Sequence, residues 1–131
     1  MPHPLRSTKS PFVPHEEVEQ ESLAAWLDFH GICWCHIPNE GKKTANYHMK
    51  IQRAGLKKGV PDCLIFDPPP LFPDHIGTAV ELKRKKGGSL SSEQRFWLAE
   101  LETRRWKSKC CKGATEAIAW LETLGYGKRK L

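Results

Sequence analysis

The run Pro68-Pro69-Pro70, with Pro73 close behind, constrains this chain more than any other feature. Proline offers no backbone N–H and is kept out of sheet interiors, so the stretch is predicted to be a rigid loop. On either side stand compact β-prone runs, Cys63 to Phe66 and Thr78 to Lys83. Two strands flanking such a loop are expected to pair as a hairpin around it. That pairing would bring Asp62, at the mouth of the first run, near Glu81 in the second.

Side chains alternate across a strand. In Ala79-Val80-Glu81-Leu82-Lys83, therefore, Glu81 and Lys83 share one face while Val80 and Leu82 share the other. A carboxylate and an amine are then held about 7 Å apart along one strand. Two neighbouring acids, Asp62 and Glu81, suit a hard divalent cation, because Mg²⁺ and Mn²⁺ take oxygen ligands and are often held by one or two carboxylates plus phosphate. Such an ion stabilises charge on a phosphate and acidifies a bound water. Lys83 would orient that water or neutralise the developing oxyanion. Taken singly, an E-L-K triplet on an exposed strand and a Pro-Asp pair at a turn are ordinary. In this order, each joined to an apolar strand and followed by the basic loop Arg84 to Gly88, they point to metal-assisted phosphate chemistry.

The rest of the chain supplies helices around these strands. Residues 1–14 are rich in proline and polar groups and are expected to form a loose arm. From Glu16 to Phe29 the pattern is helical, with Val18, Ser22 and Ala25 in one stripe and Leu23, Trp26 and Leu27 in a stronger one beside it. Gly31 ends that helix. A short β-prone segment, Ile32 to Ile37, leads to the turn Pro38-Asn39-Glu40-Gly41, and part of the basic stretch 42–59 is helical. Ser91-Ser92-Glu93-Gln94 reads as a capping box opening a helix to about Arg104. Trp106 to Cys111 is a further strand and Ala114 to Leu124 a last helix closed by Gly125. Trp26, Trp97 and Trp120 fall on apolar helix faces and are expected in the core rather than stacked on bases. Helix, three strands, helix, strand, helix argues for a sheet covered by helices.

With 131 residues and 39% hydrophobic content, the chain suits one modest core. Its net charge of +6 fits a polyanionic partner as well as it fits a merely basic soluble protein. The basic runs Lys42-Lys43, Lys57-Lys58 and Arg84-Lys85-Lys86 are candidate phosphate contacts. The last directly follows the Glu81–Lys83 strand, where a nucleic-acid backbone must lie. Lys128 to Lys130 reads as a solvated tail. Five cysteines, at 33, 35, 63, 110 and 111, are odd in number and irregularly spaced. They make poor disulfide material, so a reducing cytoplasm is expected. A zinc site from His30, Cys33, Cys35 and His36 lacks a matching second pair, and buried packing is the simpler role for the thiols. No run is long enough to span a membrane, and none reads as a signal core.

The set Gly59-Val60-Pro61-Asp62, Glu81-Leu82-Lys83 and Leu90-Ser91-Ser92-Glu93-Gln94 resembles the VRR-NUC branch of the PD-(D/E)XK nucleases, over about Glu16 to Leu124. The length suggests the stand-alone type of phages and prophages, in a bacterial or phage-infected cell. The resemblance implies an α/β, restriction-endonuclease-like αβββαβ core with a mixed sheet flanked by helices. It implies a nuclease domain over 15–125, between the arm and a basic tail at 126–131. It further implies metal held by Asp62, Glu81 and the Leu82 carbonyl, catalysis by Lys83, and Gln94 lining the site. An acid of the first helix would complete the set, with Glu16 the best fit and Glu17 and Glu19 close by. Gln94 also has a purely structural role open to it as a capping residue, and an acid such as Glu16 in a first helical turn is favoured by the dipole anyway. Phosphodiester hydrolysis and dimers of the short members follow from the family. The expected activity is a Mg²⁺- or Mn²⁺-dependent DNA endonuclease selective for branched DNA such as four-way junctions. The alternatives are a flap-, end-directed or unspecific nuclease, and a DNA-binding module without catalysis. Two departures stand out: the proline loop exceeds a tight hairpin, and Trp106-Lys107-Ser108-Lys109 is polar for a family strand.

Overall fold

The computed structural model describes residues 16–38 and 44–128. The expected arm, Lys42, Lys43 and the end of the basic tail lie outside the described residues. In chain order the elements are α1 (Glu16–Phe29), β1 (Trp34–His36), α2 (Ala45–Arg53), β2 (Cys63–Ile65), β3 (Gly77–Lys83), α3 (Ser92–Thr103), β4 (Trp106–Lys112) and α4 (Ala114–Thr123). The strands lie in the order β1-β2-β3-β4, the first two pairings antiparallel and the last parallel. This is the expected mixed sheet flanked by helices. A parallel pair cannot be closed by a tight turn, and α3 supplies the crossover between β3 and β4.

The two faces of the sheet differ in kind. Cys63 lies opposite Val80, Ile65 opposite Thr78, and Leu82 beside Cys111, and all six are buried. Leu23 and Leu27 of α1 and Ala117 and Leu121 of α4 close over that face to make the core. Full burial of each of these leucines contributes roughly 1.5–3 kcal/mol. Leu23 and Leu27 stand one turn apart, as a core-facing stripe requires. The weaker stripe of Val18, Ser22 and Ala25 faces solvent instead.

The opposite face carries Asp62, Glu81 and Lys83, and α3 packs there. Ser108 of β4 donates its hydroxyl to the Leu98 carbonyl at 2.7 Å. Because α3 covers the polar side of the sheet, none of its residues is fully buried. That corrects the expectation for Trp97, which is only partly buried and outside the core, and leaves Phe96 56% exposed. Trp26 and Trp120 do pack against the core, at partial burial.

The long proline loop keeps the hairpin in register because it is tied at both ends. Leu71 N–H donates to the Leu124 carbonyl at 2.9 Å and Ile76 N–H to that of Arg105 at 2.7 Å. The Tyr126 hydroxyl meets the Asp67 carbonyl at 2.6 Å and Thr78 Oγ1 at 2.8 Å. The polar makeup of β4 follows from its position at the sheet edge, where lysines discourage further pairing. All five cysteines are free. Burial pushes the Cys63 and Cys111 thiols up to about 12, as expected of packing residues, whereas Cys33 is exposed. Among the described residues no helix is long and apolar enough to cross a membrane.

Candidate active site

With Cys63 against Val80, the antiparallel register sets Asp62 opposite Glu81. The hairpin expected around the proline loop therefore forms, and it brings the two acids together. Both are buried, at 7% and 1% exposure. Asp62 Oδ2 accepts the Leu82 N–H at 2.8 Å, and the Glu81 side chain stands beside its carboxyl. Burial raises the Asp62 pKa above its ordinary 3.8, against the lowering effects of the Leu82 N–H, Glu81, His36 and Lys83. A residue in an extended strand presents its N–H and C=O to the same side, so the Leu82 carbonyl also turns toward the β2 side of β3.

Lys83 completes the face. Its Nζ lies 3.8 Å from Glu81 Oε2, with 13% of the side chain exposed. Gln94 reaches the same oxygen from α3, its Nε2 donating at 3.2 Å. Its Oε1 meanwhile accepts the Ser91 N–H at 2.9 Å, and its own N–H donates to Ser91 Oγ at 3.1 Å. Capping and site contact thus belong to one amide group. The capping box holds the side chain, and the held side chain holds Glu81.

The approach to Asp62 is tightly packed. Gly59 has φ +93°, and a Cβ there would stand 2.6 Å from the Glu93 carbonyl carbon. Gly59→Ala is expected to cost about 1–3 kcal/mol in urea denaturation, because a non-glycine residue is strained in that backbone region before any clash. At the other flank, His36 Nδ1 lies 3.0 Å from the Asp62 carbonyl oxygen, which also accepts the Ile37 N–H at 2.6 Å. Gln20 of α1, which no local pattern marks, donates to Cys63 Sγ at 3.3 Å.

Of the helix acids, Glu17 is exposed and the Glu16 side chain lies outside the described residues. Glu19 is buried at 5% exposure and accepts the Ala114 N–H at 2.7 Å, capping α4 with a carboxylate where the helix dipole favours one. Glu19→Ala is expected to lower stability by about 1–2 kcal/mol, the scale of a lost helix cap. Glu19→Gln, which keeps an acceptor, should lose less in the same denaturation experiment.

Arg84, Lys85 and Lys86 are exposed on the loop that leaves Lys83. Lys57 and Lys58 are exposed too, and line a depression that also includes Gln94. No group of three or more His, Cys, Asp or Glu side chains is gathered for a metal among the described residues. A cation here would rest on the two carboxylates and backbone oxygen, a donor set that hard divalent ions use.

The VRR-NUC domain family model matches residues 15–115 of the chain. A VRR_NUC domain protein of known structure superposes with a TM-score of 0.68, over 86% of this chain and 88% of that one, at 18% sequence identity. That likeness shows a shared fold. No curated protein matches the chain. The matched span runs from the threshold of α1 to the first turn of α4, taking in the whole sheet, and the chain belongs to the VRR-NUC domain family of nuclease-type, DNA-processing modules.

Proposed function

We propose that the chain is a divalent-metal-dependent DNA endonuclease acting on branched DNA, four-way junctions among them, as a homodimer. The observation that carries this reading is the buried contact between Asp62 and Glu81, with Lys83 3.8 Å away. Two acids brought together out of water repel once both ionise. A hard divalent cation relieves that repulsion, so the residues present fit Mg²⁺ or Mn²⁺. When bound, such an ion supplies charge stabilisation at phosphate and a more acidic water.

The side chains divide the remaining work. Asp62, Glu81 and the Leu82 carbonyl hold the ion, and the Leu82 N–H fixes the Asp62 carboxylate for that task. Gln94 orients Glu81. Lys83 Nζ donates to the attacking water or the scissile phosphate. Glu16, one turn before Glu19 on α1, is the helix acid that the family resemblance assigns to the rim. Arg84, Lys85, Lys86, Lys57 and Lys58, with Lys42 and Lys43, hold phosphates along the backbone, so binding should weaken steeply with salt. A two-fold dimer would present two such sites to the arms of a junction.

Labelled four-way junction, flap and linear duplex, each incubated with Mg²⁺, Mn²⁺ or EDTA, test the reading. Metal-dependent nicking concentrated on branched DNA is expected. Binding without cutting under every metal condition would overturn the enzyme, and equal cutting of linear duplex would overturn the selectivity for branches.

A further inference from the structure

Two depressions, of about 300 Å³ and about 560 Å³, adjoin along one flank of the site. Both are lined by Gln52, Leu56, Lys57 and Lys58, so together they form one trough between α2 and the start of α3. The inner end includes Gln94, whose amide holds Glu81. Phe96 and Trp97 stand at the outer end, with ring centroids 5.8 Å apart and rings nearly perpendicular.

The chemistry of the lining is mixed in a particular way. Ile37, Leu56 and Val60 give the inner depression an apolar wall. His48 lines it as well, and its Nε2 is buried without a hydrogen-bond partner among the described residues. A buried ring nitrogen left unpaired is costly, and a small turn of the ring toward a ligand that hydrogen-bonds to it would recover the cost. Phe96 is 56% exposed although it is a large apolar ring, and exposed lysines lie beside it. An apolar slot, a polar atom awaiting a partner, a free aromatic face and cations together match the parts of a nucleotide. Base stacking on aromatics along a basic groove is how proteins hold single strands. A paired duplex keeps its bases stacked inside and has none to offer such a trough.

We infer that this trough binds unpaired nucleotides next to the scissile phosphate. One base enters beside His48 and a neighbour stacks on Phe96, while Lys57 and Lys58 hold the connecting phosphates. The inference rests on the nuclease reading and narrows it: among branched DNAs the preferred one carries unpaired bases at the point of cutting, as a flap does and a fully paired four-way junction does not.

Fluorescence anisotropy in EDTA, with a blunt duplex and the same duplex bearing a short thymidine tail, tests the trough without cleavage. Wild type is expected to favour the tailed DNA. Phe96→Ala and His48→Ala should each weaken tail binding about ten-fold, the scale of one lost base contact. Blunt-duplex affinity should stay unchanged, and Phe96→Trp should retain the preference. Circular dichroism checks that each variant is folded. Losses equal on both DNAs, or no loss on either, overturn the trough while leaving the nuclease reading in place. A wild type that binds neither DNA overturns both. If Phe96→Ala instead turns a dimer into a monomer in light scattering, with tail preference intact, the patch is a subunit interface and the inference falls.

Discussion

Lys83→Ala is expected to slow cleavage of branched DNA by about a hundred- to a thousand-fold, the scale of losing one preorganised charge stabiliser in an active site. DNA affinity should change little, since Arg84, Lys85 and Lys86 remain beside it. The lysine is held in place from two sides. Its Nζ sits 3.8 Å from Glu81 Oε2, and the β3–α3 loop folds onto its stem so closely that a Cβ on Gly88 would lie 2.9 Å from Lys83 Cβ. An amine so confined is held at Glu81 rather than out in solvent. The variant also removes a positive charge that lowers the Asp62 pKa. The acid limb of its residual pH–rate profile should therefore move to higher pH. Single-turnover kinetics across pH measure both effects, and a wild-type rate would remove Lys83 from the chemistry.

Asp62→Asn should cut activity further while making the metal-free protein more stable. The loss comes from removing a metal ligand, worth several kcal/mol of charge stabilisation, or about a thousand-fold in rate. The gain comes from burial. Desolvation is the largest influence on Asp62 and raises its pKa above 3.8. A carboxyl whose folded pKa exceeds its unfolded one binds more protons when folded, so stability falls as pH rises through that window. In EDTA, wild-type Tm should accordingly decline as pH rises above 3.8, and Asp62→Asn should lose that decline. Asparagine keeps an acceptor for the Leu82 N–H, so the backbone contact survives. Added Mg²⁺ or Mn²⁺ should raise the wild-type Tm, since a ligand at a hundred times its Kd stabilises by about 2.7 kcal/mol. The variant should gain far less.

Those two residues also mark where sequence reasoning reaches and where it stops. The shared face of Glu81 and Lys83 follows from the two-residue period of a strand, a local rule, and β3 obeys it. The opposition of Asp62 and Glu81 depends instead on register across the proline loop. That register is held by Leu124, Arg105 and Tyr126, far along the chain. Gln94 was half legible: Ser91 and Gln94 announce a capping box, but nothing local says the same amide will meet Glu81. Glu19 was illegible as a cap, because its partner Ala114 lies 95 residues away. The apolar run of α3 misled for a related reason. Trp97 falls in an apolar stretch and is expected in the core, yet the side of the sheet on which α3 packs leaves it lining a trough beside Phe96.

Asp62 and Glu81 are expected to hold a divalent cation beside Lys83. Crystals grown with Mn²⁺ and measured near its absorption edge test it most directly. An anomalous peak in contact with both carboxylates and the Leu82 carbonyl is expected, and it should be lost in Asp62→Asn crystals. A peak at other residues, or none between Asp62 and Glu81 at saturating Mn²⁺, would contradict it.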